Sequence, residues 1–231
     1  MCLVACKSYF YGKFIKLAKR KLQRFAEIGT FNNVKQLDEG KVFKGEWAKS
    51  FFKNSNPIIL ELACGKGEYS VNLAKKFPDK NFIGVDYKGN RLWVGAKMAI
   101  DEDIENVGFL RIQIQNILDY FAEDEVEEIW ITFPDPQAQS PLERKRLTNP
   151  TFLAKYKTVL KDDGLMHLKT DNDGFFDYTL EKIAELKLPI LQKTTDVYKD
   201  FPGDEILSIK THYERIYLQK DKNINYVKFA F

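Results

Sequence analysis

Histidine and cysteine are scarce in this 231-residue chain, with two of one and three of the other. His167 and His212 stand too far apart to read as a metal-ligand pair, so no metal is expected. Cys2, Cys6 and Cys64 are too few and too unevenly placed for a disulfide framework, which points to the reduced cytoplasm. No run of about 18 apolar residues is present, so no membrane span is expected. Met1 to Lys13 mixes Cys, Lys, Ser and Tyr and does not read as a signal peptide. Glycine (13) and proline (8) are too sparse for a collagen-like chain, and 44% hydrophobic content excludes a disordered one. The length suits one domain with an appended arm.

The longest stretch without an acidic residue is the first. Residues 1 to 26 hold Lys7, Lys13, Lys16, Lys19, Arg20, Lys21 and Arg24 and no Asp or Glu. Setting those seven aside leaves 29 of the 36 basic residues against 33 acidic ones, a body of about −4. Interleaved aromatics (Tyr9, Phe10, Tyr11, Phe14, Phe25) suit a nucleic-acid contact. The apolar spacing of Phe10, Phe14, Leu17, Leu22 and Phe25 equally suits a helix docked on its own domain. The expected division is a basic arm over 1–30 and a domain over 31–231.

From residue 57 short apolar runs alternate with helical stretches. Strands are expected at 57–64, 81–86, 107–114, 128–133 and 164–170, with helices to about Phe77, from about Asn90 to Ile100, from about Pro150 to Leu160 and from about Gly174 to Leu186. Two late strands are expected at Ile190–Tyr198 and His212–Gln219 without a helix between them. This is an α/β chain with a doubly wound, mostly parallel sheet of seven strands and an antiparallel edge strand. Trp47, Trp93, Trp130 and His167 read as packing residues.

In such sheets a ligand lies beyond the carboxyl ends of the strands. The first strand ends Glu61-Leu-Ala-Cys-Gly65-Lys-Gly67, where two glycines allow a tight turn and close backbone approach. The second ends at Asp86, nineteen residues after Gly67, and a carboxylate there can take both ribose hydroxyls of an adenosine. Glu61 would repel a pyrophosphate and attract the ammonium and sulfonium of S-adenosylmethionine, which favours that cofactor over NAD. The E-x-x-C-G-x-G arrangement resembles motif I of class I, Rossmann-like methyltransferases.

Four further motifs follow in order: Phe133-Pro-Asp-Pro136, Arg144-Lys-Arg-Leu147, Leu168-Lys-Thr-Asp171 and Thr211-x-Tyr-Glu214. With Lys21-Leu-Gln-Arg-Phe-Ala-Glu27 they resemble the bacterial tRNA (guanine-N7)-methyltransferase family over about residues 19 to 220. The resemblance implies methyl transfer from S-adenosylmethionine to N7 of a guanosine in the tRNA variable loop, by a monomer or homodimer. It implies a cofactor site formed by Glu61, Gly65, Gly67, Asp86, Asn116 and Asp135, with Asp135 also the principal catalytic residue. Asp171, Thr211, Tyr213 and Glu214 would meet the guanosine. The basic residues Arg144, Lys145, Arg146, Lys19, Arg20, Lys21 and Arg24 are candidates for the tRNA backbone. The chain departs from the family pattern at Gln137, often Trp, at Gln139, a Lys, and at Asn116, usually Asp. The alternatives are a methyltransferase with another RNA or small-molecule acceptor, an NAD-dependent oxidoreductase on the same fold, and a non-catalytic RNA-binding protein.

Overall fold

A computed structural model describes residues 20–231. The residues before 20, with Lys19 and most of the predicted arm, lie outside the described part. Residues 20–28 form helix α1, followed by strand β1 (Val34–Gln36) and a single turn of helix, α2 (Asp38–Lys41). The alternation proper then begins: β2 (Ile58–Leu62), α3 (Glu68–Lys76), β3 (Asn81–Asp86), α4 (Gly89–Asp101), β4 (Val107–Arg111). After β5 (Val126–Thr132) come α5 (Pro150–Val159), β6 (Leu160–Thr170), α6 (Asp173–Glu185) and β7 (Ile190–Thr194). Two short helices, α7 (Val197–Asp200) and α8 (His212–Leu218), precede the last strand, β8 (Asn225–Ala230).

The eight strands lie in the order β1-β4-β3-β2-β5-β6-β8-β7. All pairs are parallel except those made by β8, which runs antiparallel between β6 and β7. The chain steps outward from β2 to β3 and β4, then returns to place β5 on the other side of β2. The strand order therefore reverses between β2 and β5.

Alternation along each strand divides the core into two layers. Ile58, Leu60 and Leu62 of β2 pack with Ile129 and Ile131 of β5 against Leu153 and Tyr156 of α5 and Phe175 and Phe176 of α6. Ile59, Phe82 and Trp130 face the other way, toward Tyr69, Val71 and Leu73 of α3 and Leu92 and Ala96 of α4. Each such side chain taken from water to full burial contributes roughly 1.5–3 kcal/mol. Glu61 shares the Ile59 face and so points beneath α3. His167 is indeed a packing residue: its ring stacks 3.8 Å from Trp130 and its Nδ1 lies 2.8 Å from the Tyr226 hydroxyl.

The late elements differ from the sequence expectation: the strand from Ile190 stops at Thr194, because the Asp196 side chain caps α7 by accepting from the Lys199 N–H, so Tyr198 is helical. The segment expected as a strand over His212–Gln219 is helical over His212–Leu218, because Thr211 and Glu214 form a capping box: the Thr211 hydroxyl accepts from the Glu214 N–H and the Glu214 carboxylate accepts from the Thr211 N–H. The late antiparallel strand is instead Asn225–Ala230. The sheet also gains β1, three residues long, through parallel pairing with β4.

Helix α1 docks on the domain. Ile28 is buried, the indole of Trp93 donates to Glu27 at 2.8 Å, and the Arg24 guanidinium lies 4.5 Å over the Trp93 ring. Arg20 and Lys21 are exposed.

Candidate active site

The carboxyl ends of β2, β3, β4 and β5 open into a cavity of about 460 Å³. Its floor is the turn between β2 and α3, where Ala63, Gly65 and Gly67 all take positive φ values of 56°, 58° and 67°. Only glycine tolerates the last position, because a Cβ on Gly67 would lie 2.3 Å from the Phe109 ring. A Cβ on Gly65 would meet only the Ala63 carbonyl at 4.0 Å, so at this lining residue the missing side chain leaves room for a ligand. Ala63 and Phe133 (φ 48°) end the two strands that flank the reversal point. Non-glycine residues held in this region cost about 1–3 kcal/mol each and gather at functional sites.

Asp86 ties the turn to the wall. Its carboxylate accepts from the Gly65 N–H at 3.0 Å and the Lys88 N–H at 2.8 Å, and it borders the cavity with lone pairs to spare. Ile112 and Ile114 supply an apolar wall, with Gln113 and Gln115 beside them. A carboxylate, backbone amides and an apolar slot suit the ribose and adenine of S-adenosylmethionine.

Glu61 is buried behind the turn and is not part of the cavity wall. Its carboxylate accepts from the Ser70 N–H at 2.9 Å, the Ser70 hydroxyl at 2.5 Å and the Thr132 hydroxyl at 2.5 Å, joining α3 to the end of β5. Burial pushes its pKa up to about 7 against the pull of those donors. Gly67 is likewise buried beneath the surface, and Asn116 is exposed just beyond the cavity wall.

Asp135 stands exposed on the opposite rim, on a turn whose two prolines have no N–H to offer. Thr211 and Tyr213, at the start of α8, complete that side. Glu214 faces inward, fully buried, and pairs with Lys169 at 2.7 Å. Lys169 also donates to the carbonyls of Leu207 (2.5 Å) and Ile209 (3.3 Å), while the Tyr198 hydroxyl donates to Glu214 at 2.6 Å. Burial lowers the Lys169 pKa even beside this carboxylate. Asp171 lies in a second cleft at the end of β6, paired with Lys222 at 3.1 Å.

Of the basic candidates, Arg144 and Lys145 are exposed and line the cavity, whereas Arg146 is half-buried and turned away. Sequence reasoning missed Lys66, Glu68, Lys88 and Arg91, which also line it. Arg91 reaches from α4 to within 5.8 Å of the Tyr213 ring. Glu68 accepts from the His212 N–H at 2.6 Å and lies 3.8 Å from Arg215, latching α8 to the glycine turn. Lys88 and Arg91 could have been found from their place directly after the Asp86 strand end. Among the described residues no cluster of metal-ligating side chains occurs, and no helix is long and apolar enough to cross a membrane.

The same architecture recurs in the 16S rRNA methyltransferase KamB (TM-score 0.58, 13% identity, 76% of this chain and 88% of that one). It recurs too in the 16S rRNA (adenine(1408)-N(1))-methyltransferase of Catenulisporales acidiphilia (TM-score 0.57, 14% identity, 80% and 90%). The reversed sheet order and the glycine turn facing a strand-end carboxylate define a class I, S-adenosylmethionine-dependent methyltransferase. Residues 55–227 match the family described as "Putative methyltransferase". The tRNA (guanine-N(7)-)-methyltransferase of Christiangramia forsetii is 49% identical over 92% of this chain and 98% of its own. That of Bacteroides fragilis is 45% identical over 92% and 86%, and that of Pediococcus pentosaceus 32% over 85% and 92%. The chain belongs to the tRNA (guanine-N7)-methyltransferase family.

Proposed function

We propose that this protein methylates N7 of a guanosine in the variable loop of tRNA, using S-adenosylmethionine, in the cytoplasm. The observation that carries this reading is the Asp135 carboxylate, exposed on a donor-poor turn across one cavity from Gly65 and Asp86. When bound, S-adenosylmethionine supplies an electrophilic methyl group on a positively charged sulfur.

Asp86 would take the ribose hydroxyls, and Ile112 and Ile114 would hold the adenine. Guanine N7 carries a lone pair and no proton, so no side chain has to act as a base before attack. Catalysis then rests on alignment and electrostatics. Asp135 accepts hydrogen bonds from N1 and N2 of the guanine and stabilises the positive charge the ring acquires. Thr211 and Tyr213 bound the guanosine side. Glu214, sealed against Lys169, acts by holding α8 in place, and Asp171, engaged by Lys222, receives no contact in this scheme. Lys66, Lys88, Arg91, Arg144 and Lys145 form a cationic rim for RNA phosphates, with Arg20 and Lys21 beyond it. A stacked base must leave its neighbours to reach the cavity, as in other base-modifying enzymes.

The test is transfer of labelled methyl to tRNA lacking its modifications, followed by nucleoside separation. Label in 7-methylguanosine is the expected result. Binding of S-adenosylhomocysteine without any labelled tRNA nucleoside would overturn the acceptor assignment and leave the cofactor half standing.

A further inference from the structure

The turn that carries Asp135 is weakly held by its own backbone. Pro134 and Pro136 have no N–H. Phe133 and Gln137 both occupy the left-handed region, at φ 48° and 47°. The Gln137 N–H is used within the turn, donating to Asp135 Oδ1 at 3.1 Å. At its start the turn is tied to the sheet by the Phe133 N–H on the Lys169 carbonyl, 2.8 Å. At its end the Leu142 N–H reaches the Gln139 carbonyl at 2.9 Å, and between these two ties the hold comes from Arg146.

Arg146 donates from Nε to the Gln137 carbonyl at 3.2 Å and from Nη2 to the Ala138 carbonyl at 3.5 Å. Its guanidinium sits 4.4 Å over the ring of Tyr178 on α6. Its backbone is fixed on both sides, by its own N–H on the Glu143 carbonyl at 2.9 Å and by the Asn149 N–H on its carbonyl at 3.0 Å. The residue whose N–H orients the Asp135 carboxylate therefore has its carbonyl gripped by a stacked guanidinium. Sequence reading treats Arg144, Lys145 and Arg146 as one phosphate grip, whereas the structure divides them.

We propose that Arg146 is a positioning residue that holds the Phe133–Gln139 turn, and with it Asp135, in the reactive arrangement. The inference rests on the methyl-transfer reading above and adds a residue to it. A planar fork lying on an aromatic face is required at this point, and a lysine ammonium cannot reproduce it.

Arg146→Lys keeps the charge and removes the fork. It should lower kcat roughly 10- to 100-fold, as small misplacements of reacting groups do. The KM for tRNA, the salt dependence of tRNA binding and the affinity for S-adenosylhomocysteine should stay within about twofold of the parent. Tyr178→Leu removes the stacking face and should lower kcat in the same direction, and added guanidinium should restore part of the activity of Arg146→Ala. Arg144→Ala, by contrast, should raise KM and flatten the salt dependence with kcat kept. If Arg146→Lys retains the parent kcat while Arg146→Ala raises KM and flattens the salt dependence, Arg146 is a phosphate contact and the proposal falls. It falls equally if the variants lose only thermal stability and turn over normally below their melting temperatures. Failure of the parent protein itself to form 7-methylguanosine would instead strike the functional reading.

Discussion

Glu61 and Asp135 are both carboxylates at strand ends, and their surroundings give them opposite tasks. Asp135 faces solvent and the cavity, so Asp135→Asn should reduce methyl transfer by about 10²-fold or more while tRNA binding changes little. Unchanged turnover would remove it from the catalytic role. Glu61 is sealed behind the turn with its pKa raised from 4.5 to about 7. A folded-state pKa above the unfolded one means that the folded protein binds the extra proton. The stability this gives is fully present below pH 4.5 and is lost as pH rises toward 7. Glu61→Gln, which mimics the protonated form, should remove that decline, worth up to about 1.4 kcal/mol per pH unit. Parallel pH profiles of denaturant stability for parent and variant would refute it. The glycine turn and Asp86 were legible in the sequence because their spacing is local. The partners of Glu61 were not, since Thr132 is brought beside it only by the β2–β5 pairing.

Helix α8 shows how local chemistry can be legible and still be misread. Thr211-His-Tyr-Glu214 reads by alternation as the start of a strand, and by resemblance as a substrate motif. Its spacing is also that of a capping box, the signal that fixes the helix. The long-range half of the element was invisible, because Lys169 and Glu214 meet only through folding. Both side chains are fully buried, so removing one leaves the other charge stranded. Lys169→Met should destabilise the protein by about 3–5 kcal/mol in denaturant titration. A loss below about 1 kcal/mol would mean that Glu214 is satisfied by Tyr198 and Thr211 alone. The central strands β2, β3 and β5 were legible as predominantly apolar runs, since both their faces are covered. Strand β1 was not, being three residues whose place depends on the edge of β4.

Across the whole molecule, charge is distributed by role. Lys66, Lys88, Arg91, Arg144 and Lys145 border the cavity, whereas the chain beyond residue 26 carries an acidic excess. Neutralising exposed Arg20 and Lys21 together should weaken tRNA binding at low salt and flatten its salt dependence, by about 0.7–0.9 in log–log slope for each phosphate these side chains neutralise. A slope unchanged within error would assign these residues to the solvated face of α1.

The hydrogen bond that the first turn of α8 donates to Glu68, from the His212 N–H, has a consequence for how the two ligands are bound. Glu68 begins α3 directly after Gly67, so any ligand that rigidifies the glycine turn also steadies the helix bearing Thr211 and Tyr213. The two binding equilibria then share one free energy. S-adenosylhomocysteine should tighten tRNA binding by the same factor by which tRNA tightens S-adenosylhomocysteine, within the ~5- to 150-fold range usual for such linkage. Glu68→Ala should shrink both factors toward unity together. An enzyme linked in this way loads its two substrates cooperatively, so at limiting cofactor it engages tRNA in proportion to its capacity to modify it.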